Sequence, residues 1–511
     1  MKVIAYDIGT TGIKSCLFDI SKEGGIRFIA GEIEGYSLDI LPGGGVEQSP
    51  DDWWGAMCST TRKLLAGAGV PAKDITGVSF CSQVQTVVMV GEDGAALRPA
   101  MSCMDTRAYR QFEKYMHTGI RVEGLDIFKV LKFLKATGAV SGSVKDPMWK
   151  YHWVRENEPE IFAKTYKWLD AKEYLVMRAT GEIRASRDDV GLTFLYDVKK
   201  GRWSDPLCKA FDIDMEKLPD TCESTDIIGG LLPGAAQELG LCPGTKVISG
   251  GSDVSLCQVG AGSLGIGDVN IYSGTSGWVT TTVDRLHLDL KHLIGSVIGA
   301  DPDTYNYVAE SETSGKCFEW VKDRLTRTPI NTYDEMLSYA GGTPPGSNGV
   351  IFTPWMHGNR CPFEDPHARA MFFNVDVENK GSDMIHAVME GMCMHMRWML
   401  EATEGSFKTN PVVRFTGGTA QSTYIAKMLA NVLGREVETI ENPRHVGAMG
   451  AAALIAVSMG VIGNIKDIKD VIGAAARYAP DKEAHAVYDR IFPVFKDLYN
   501  NNKEAYKKLN A

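Results

Sequence analysis

Two short stretches of this chain share one pattern at a constant offset of 265 residues, and that repeat constrains the fold more than any other feature. Val3-Ile4-Ala5-Tyr6-Asp7 is a β-type run that turns at Gly9-Thr10-Thr11-Gly12 and returns as Ile13 to Asp19. Val269-Asn270-Ile271-Tyr272 turns at Gly274-Thr275-Ser276-Gly277 and returns as Trp278 to Thr282. Each unit reads as a hairpin opening an α/β domain, so the repeat predicts two related domains facing one another. The period is too long for a solenoid. At 511 residues the chain also exceeds one ordinary core, given about 100–200 residues per domain.

Helical and strand-like patterns alternate between and after the hairpins. Asp51 to Ala66 has Trp53, Met57, Thr61 and Leu64 on one helical face, and Ile75 to Cys81 reads as a strand. Pro147 to Phe162, Ala171 to Thr180, Ser382 to Glu404 and Thr423 to Leu433 read as helices, and Val412 to Phe415 as a strand. The turn at Cys242-Pro243-Gly244 places the domain boundary there. This gives domains at 1–244 and 245–480, followed by a polar helical tail at 481–511.

Lys and Arg number 54 against 64 Asp and Glu, a net charge of −10 with no long basic run. That argues against nucleic acid or an anionic membrane as a partner and requires any anionic ligand to have a local site. The 11 Cys are scattered with no C-x-x-C pair, so neither a disulfide framework nor a zinc site is indicated. Asp7 interrupts the N-terminus before a signal-peptide core forms. The uncharged stretch Val446 to Asn464 is rich in Gly and Ala and reads as a buried helix, short for a membrane span of about 20 residues. A cytoplasmic protein is expected.

Several fingerprints fail on context. Gly260-Ala261-Gly262-Ser263-Leu264-Gly265 matches G-x-G-x-x-G, but a strand rather than a helix follows it, so no helix N-terminus faces a pyrophosphate. Lys316 is not preceded by a P-loop, and the 10 His do not cluster at ligand spacing. The Gly-Thr turns carry more. Glycines flanking a hydroxyl residue let backbone N–H groups approach phosphate, and the hydroxyl adds a donor without charge. Asp7 and Lys14 flank the first turn; Asp7 is a candidate Mg²⁺ ligand through water or an Asx turn. Asp253 follows Ser249-Gly250-Gly251-Ser252 at a strand end, where ligands bind in α/β sheets, and is either a proton acceptor or a turn residue. Phe415 to Ser422 is a strand, a Gly pair and a helix start, either a nucleoside seat or a helix cap.

Together these residues resemble the FGGY family of carbohydrate kinases, in the superfamily of actin, hexokinase and the heat-shock-protein ATPases. Pro147 to Asn157 fits the family's first signature, with Lys145 departing at its opening position, and Ala370 to Glu390 fits the second, with Asn374 where Gly is usual. Within the family the chain is most similar to xylulose kinases through Glu47-Gln48-Ser49-Pro50-Asp51-Asp52-Trp53-Trp54, Leu97 to Ala100, Glu158 to Phe162 and Trp203 to Asp205.

The resemblance implies an α/β fold of two related ribonuclease H-like, actin/hexokinase-type domains with a nucleotide and sugar cleft between them. It implies ATP and Mg²⁺, with Asp253 as catalytic base. Thr10, Thr11, Gly12, Lys14 and Thr275 would line the phosphates, Gly315, Gly418 and Ser422 the nucleotide, and Asp105 the sugar. Val84-Gln85 stands where xylulose kinases carry a Met-His pair against the sugar, and Val254 where an Asn follows the base, so one polar contact is lost. The implied reaction is phosphorylation of D-xylulose to xylulose 5-phosphate. Ribulose, ribitol and erythritol are alternatives, as are a nucleotide-dependent sugar sensor and an ATP hydrolase on the same fold. The partner is a small sugar or polyol, with homodimer assembly left open.

Overall fold

The computed structural model describes residues 1–510 apart from Gly24, Glu123 and 326–331. A first sheet contains β1 (Lys2–Ile8), β2 (Gly12–Ser21), β3 (Gly25–Gly35), β4 (Ile75–Ser82), β5 (Ile227–Gly230) and β6 (Lys246–Ile248), in spatial order β5-β6-β4-β1-β2-β3. The short strand β7 (Gly251–Ser252) pairs with the end of β4. A second sheet contains β8 (Val269–Ser273), β9 (Gly277–Val283), β10 (Leu288–Asp289), β11 (Ile294–Ile298), β12 (Tyr305–Ser311), β13 (Val412–Thr416), β14 (Glu436–Thr439) and β15 (Ala476–Tyr478), in order β10-β11-β12-β9-β8-β13-β14-β15.

The two sheets repeat one plan. Each has an antiparallel meander, β1-β2-β3 or β8-β9-β12, joined through its first strand to two parallel strands, β4-β6 or β13-β14. Each closes on an antiparallel edge strand, β5 or β15. Both expected hairpins form, with Asp7 opposite Lys14 and Tyr272 opposite Trp278. Because β6 pairs parallel to β4, the first sheet runs past residue 244, where the sequence places the domain change.

The main helices are α1 (Pro50–Ala68), α2 (Pro147–Asn157), α3 (Ala171–Thr180), α4 (Asp253–Gly260), α5 (Gly381–Glu404), α6 (Thr423–Leu433), α7 (Val446–Ser458) and α8 (Lys482–Asn510). α1 starts with Pro50 at its first turn and ends at Gly69 in the left-handed region, φ 63°. β1 is buried on both faces, as a central strand covered by helices must be. Ile4, Tyr6 and Ile8 share a core with Trp53, Trp54 and Met57 of α1, while Val3 and Ala5 share one with Ala448, Ala451 and Ile455 of α7.

The second core joins the two halves. α7 follows β14 of the second sheet yet packs on β1 and β4, and α4 follows the first sheet yet reaches β9 and β12. The two helices cross at glycines: a Cβ on Gly260 would lie 1.9 Å from the Val446 carbonyl oxygen, and one on Gly450 would lie 2.0 Å from that of Leu256. Only hydrogen fits at either point. The crossing lies on the C-terminal half of α4, the helix whose first residue is Asp253. Among the described residues no helix is long and apolar enough to cross a membrane.

Candidate active site

The first hairpin tip closes through Gly9 N–H to the Gly12 carbonyl at 3.0 Å. The Gln48 amide donates to the Thr10 carbonyl at 2.8 Å and accepts from the Gln83 amide at 3.1 Å, while the Tyr36 hydroxyl donates to the Gly9 carbonyl. Carbonyls held from behind leave the Thr10 and Thr11 side chains out of that scaffold. Lys14 pairs with Asp7 at 2.7 Å through one carboxylate oxygen. Burial opposes the Lys14 charge, but Asp7 overrides it and raises the ammonium above its usual range; Tyr272 of the second hairpin also acts on it. The two hairpins are therefore within Coulombic reach of one another.

The second tip closes through Gly274 N–H to the Ser276 carbonyl at 3.0 Å. The chain at Ser314-Gly315-Lys316 donates N–H bonds to its Gly274 and Thr275 carbonyls at 2.7–3.3 Å. Gly315 is thus a buttress of this tip, and a Cβ there would lie 2.5 Å from the Gly274 carbonyl oxygen. Gly418 has open space around its Cα, whereas Ser422 caps α6 by accepting the Ile425 N–H at 3.3 Å. The helix-cap alternative for Ser422 is therefore realised.

Asp253 is the first residue of α4, behind the cap Ser252. Its Oδ1 accepts the Val254 N–H at 2.8 Å. Burial pushes its carboxyl up to about 7 against that hydrogen bond, and the charges of Asp7, Glu310 and Asp170 push the same way. Asp188 holds the preceding turn. It accepts Ser252 N–H and hydroxyl at 2.8 and 2.9 Å and the Ser224 hydroxyl at 3.0 Å. Gly250 enters that turn at φ 74°, where a Cβ would fall 2.0 Å from the Phe80 carbonyl oxygen of β4.

On the proposed sugar side, Gln85 has φ 62°, a conformation that side-chain-bearing residues rarely adopt. Three contacts hold it. Lys150 of α2 donates to the Gln85 carbonyl at 2.8 Å and to that of Ser102 at 2.7 Å, and the Gln85 amide reaches Asp146 at 3.3 Å and the Leu192 carbonyl at 3.5 Å. Lys150 is wholly buried, and burial depresses its ammonium to about 8. Val84 beside Gln85 is half-buried.

Asp105 departs from its expected place against the sugar. It is fully buried, and its carboxylate accepts N–H bonds from Val46 and Arg107 and the Arg107 guanidinium at 2.7–3.3 Å, so it positions a loop. Arg107 continues to Glu47 at 2.6 Å, Glu47 pairs with Arg98, and Arg98 pairs with Glu158 at 2.7 Å. Arg107 also lies 4.5 Å over the Trp153 ring. Three of the four stretches that carry the xylulose-kinase resemblance thus meet in one ion-pair network.

The sequence alone marks no role for Lys150, Asp170 or Asp188. The available signal was a lysine within the family signature and acids at helix starts, which a single sequence does not separate from solvated charges.

The model of the FGGY family of carbohydrate kinases, N-terminal domain, matches residues 2–260, and that of the C-terminal domain matches 269–459. A xylulose kinase of Bacillus subtilis (strain 168) is 28% identical over 515 residues, covering 100% of this chain and 99% of that protein. A gluconokinase of the same organism is 26% identical over 517 residues, covering 99% and 97%. The crystal structure of a gluconate kinase from Lactobacillus acidophilus superposes with a TM-score of 0.85 at 24% identity, covering 99% of each chain, a likeness of fold.

Proposed function

We propose that this chain, which belongs to the FGGY family of carbohydrate kinases and is a sugar kinase, transfers the γ-phosphoryl group of ATP to a hydroxyl of a neutral sugar, with D-xylulose first among its substrates and xylulose 5-phosphate the product. The observation that carries the reading is Asp253: a carboxylate raised to about 7, at a helix start clamped by Asp188, within electrostatic reach of Asp7.

In this reading the Gly9–Gly12 and Gly274–Gly277 turns hold the phosphates with amides, the hydroxyls of Thr10, Thr11 and Thr275, and the Lys14 ammonium. Gly418 leaves room for the nucleoside, and Ser422 fixes the start of α6 beside it. Asp253 aligns the acceptor hydroxyl with the γ-phosphorus and takes its proton as the new P–O bond forms and the bond to ADP breaks. Phosphoryl transfer passes through a loose transition state, so positioning and charge neutralisation supply most of the acceleration.

No group of three His, Cys, Asp or Glu among the described residues makes a direct metal cage. Mg²⁺ needs none, because it keeps waters and takes phosphate oxygens beside one carboxylate. Asp7, with one oxygen outside the Lys14 pair, fits that role. Bound there, Mg²⁺ would neutralise phosphate charge.

A coupled ADP-release screen over pentuloses, hexuloses, polyols and gluconate tests the proposal. One ketopentose or short polyol is expected to stand out. ADP release at full rate without any sugar would identify an ATP hydrolase instead.

A further inference from the structure

Behind Gln85 lies a small pocket that the reaction above does not use. The Gln85 amide spans from Asp146 to the Leu192 carbonyl. The residues next to all three, Thr86, Pro147 and Thr193, line the pocket with Asp170, Glu173 and Asp189. Its polar lining is incomplete. Glu173 is 2% exposed and its Oε2 has no partner, Asp189 is 5% exposed with Oδ1 unpartnered, and Thr86 is 2% exposed with Oγ1 unpartnered. Buried polar groups are normally hydrogen-bonded, and burial raises the Asp189 carboxyl well above the usual carboxylate range, so it and the Thr86 hydroxyl can donate as well as accept. The occupant that satisfies this lining therefore carries hydroxyl groups, which do both.

Charge narrows the class further. Asp170 Oδ1 accepts the N–H of Thr86, the residue after Gln85, at 3.1 Å, so the pocket adjoins the Gln85 turn, and Asp170 is within Coulombic reach of Asp253. The two nearby ammonium groups are already engaged, Lys172 with Glu173 at 2.6 Å and Asp189 at 3.0 Å, and Lys150 with the Gln85 and Ser102 carbonyls. A substrate carboxylate entering here would meet three acids and no unengaged ammonium. We infer that this pocket is a subsite for an uncharged, hydroxyl-bearing end of the substrate, reached past Gln85, and that it discriminates against sugar acids. The inference rests on the sugar-kinase reading and names the substrate class of that site.

The test compares the full-length protein with its Thr86→Val and Glu173→Gln variants at saturating ATP on glycerol, erythritol, ribitol, D-xylulose and D-gluconate. In the unaltered chain kcat/KM for gluconate is expected at least about tenfold below the best neutral compound, because a carboxylate buried here finds no unengaged counter-ion. Thr86→Val, which removes a hydroxyl at nearly constant shape, is expected to raise KM for that compound about tenfold with KM for ATP unchanged. Glu173→Gln should act in the same direction, and either variant retaining its melting temperature suffices. A neutral substrate whose KM stays within about twofold of the unaltered chain's in both variants would mean that the pocket holds only water, overturning the inference while leaving the kinase intact. Gluconate as the best substrate would also overturn it. Absence of ADP release with every compound would refute the sugar-kinase reading itself, and the subsite with it.

Discussion

Replacing Asp253 by Asn is expected to abolish most phosphoryl transfer and at the same time stabilise the fold. The carboxyl sits at about 7 in the folded chain against 3.8 for an unperturbed Asp, because burial and neighbouring acids disfavour its charge. A group whose folded pKa is raised binds its proton more tightly when folded, so stability falls as pH climbs from the unfolded value and the full cost is present above about 7. At about 1.36 kcal/mol per unit the difference of 7 − 3.8 corresponds to about 4 kcal/mol, an upper bound for a side chain partly open to the cleft. At about pH 5 only about 1.5 kcal/mol of it is present.

Asn carries no charge and its Oδ1 can still accept the Val254 N–H, so the substitution removes this cost with little other change. With a melting entropy of about 2.1 cal/mol/K per residue, 511 residues unfolding together convert 4 kcal/mol into about 4 °C. Calorimetric melting of both proteins at about pH 5 and pH 8 reads the effect, and the Asn variant should gain more over the unaltered chain at the higher pH. In the same preparations sugar-dependent ADP release should fall by about 10²–10⁴-fold, the usual worth of a positioned base. A melting gap that stays constant or shrinks as pH rises would refute the buried-carboxylate argument. Retained turnover would refute the base assignment.

Three further expectations follow from the same geometry. The profile of kcat/KM for the sugar should show an acid limb near pH 7, falling about tenfold per unit below it as Asp253 takes up its proton, and a flat profile between about pH 6 and 8 would contradict that. Gly450→Ala forces a methyl group to within 2.0 Å of the Leu256 carbonyl oxygen and should destabilise by about 1–3 kcal/mol or more, seen as a lower melting temperature; unchanged melting would argue against the α4–α7 crossing. Lys150→Met removes the donor that holds Gln85 at φ 62° and should raise KM for the sugar about tenfold at constant KM for ATP; equal changes in both would indicate a general loss of structure instead.

Both hairpins are legible in the sequence because a Gly-Thr tip between two apolar runs has a local solution, and their repetition carries the two-domain plan. What escaped depends on partners distant along the chain. Lys246–Ile248 reads as the opening strand of a second domain, but its parallel pairing with Ile75–Ser82 is a long-range fact that no local pattern encodes. Asp105 looks the same in sequence whether it faces a sugar or, as here, the Arg107 guanidinium. Glu47, Arg98 and Glu158 stand out as family-like strings, and folding turns them into scaffold. The Gly excess, 54 of 511 residues against about 7% on average, is partly structural: Gly260 and Gly450 serve a helix crossing rather than a phosphate.

Transfer of a label from the γ-phosphate of ATP tests the central claim most directly, followed in one turnover with and without D-xylulose in the unaltered chain and in Asp253→Ala. The expected result is label on the sugar, with little inorganic phosphate, and loss of that transfer in the variant. Label released as inorganic phosphate at the same rate with or without sugar, or undiminished transfer by Asp253→Ala, would contradict it.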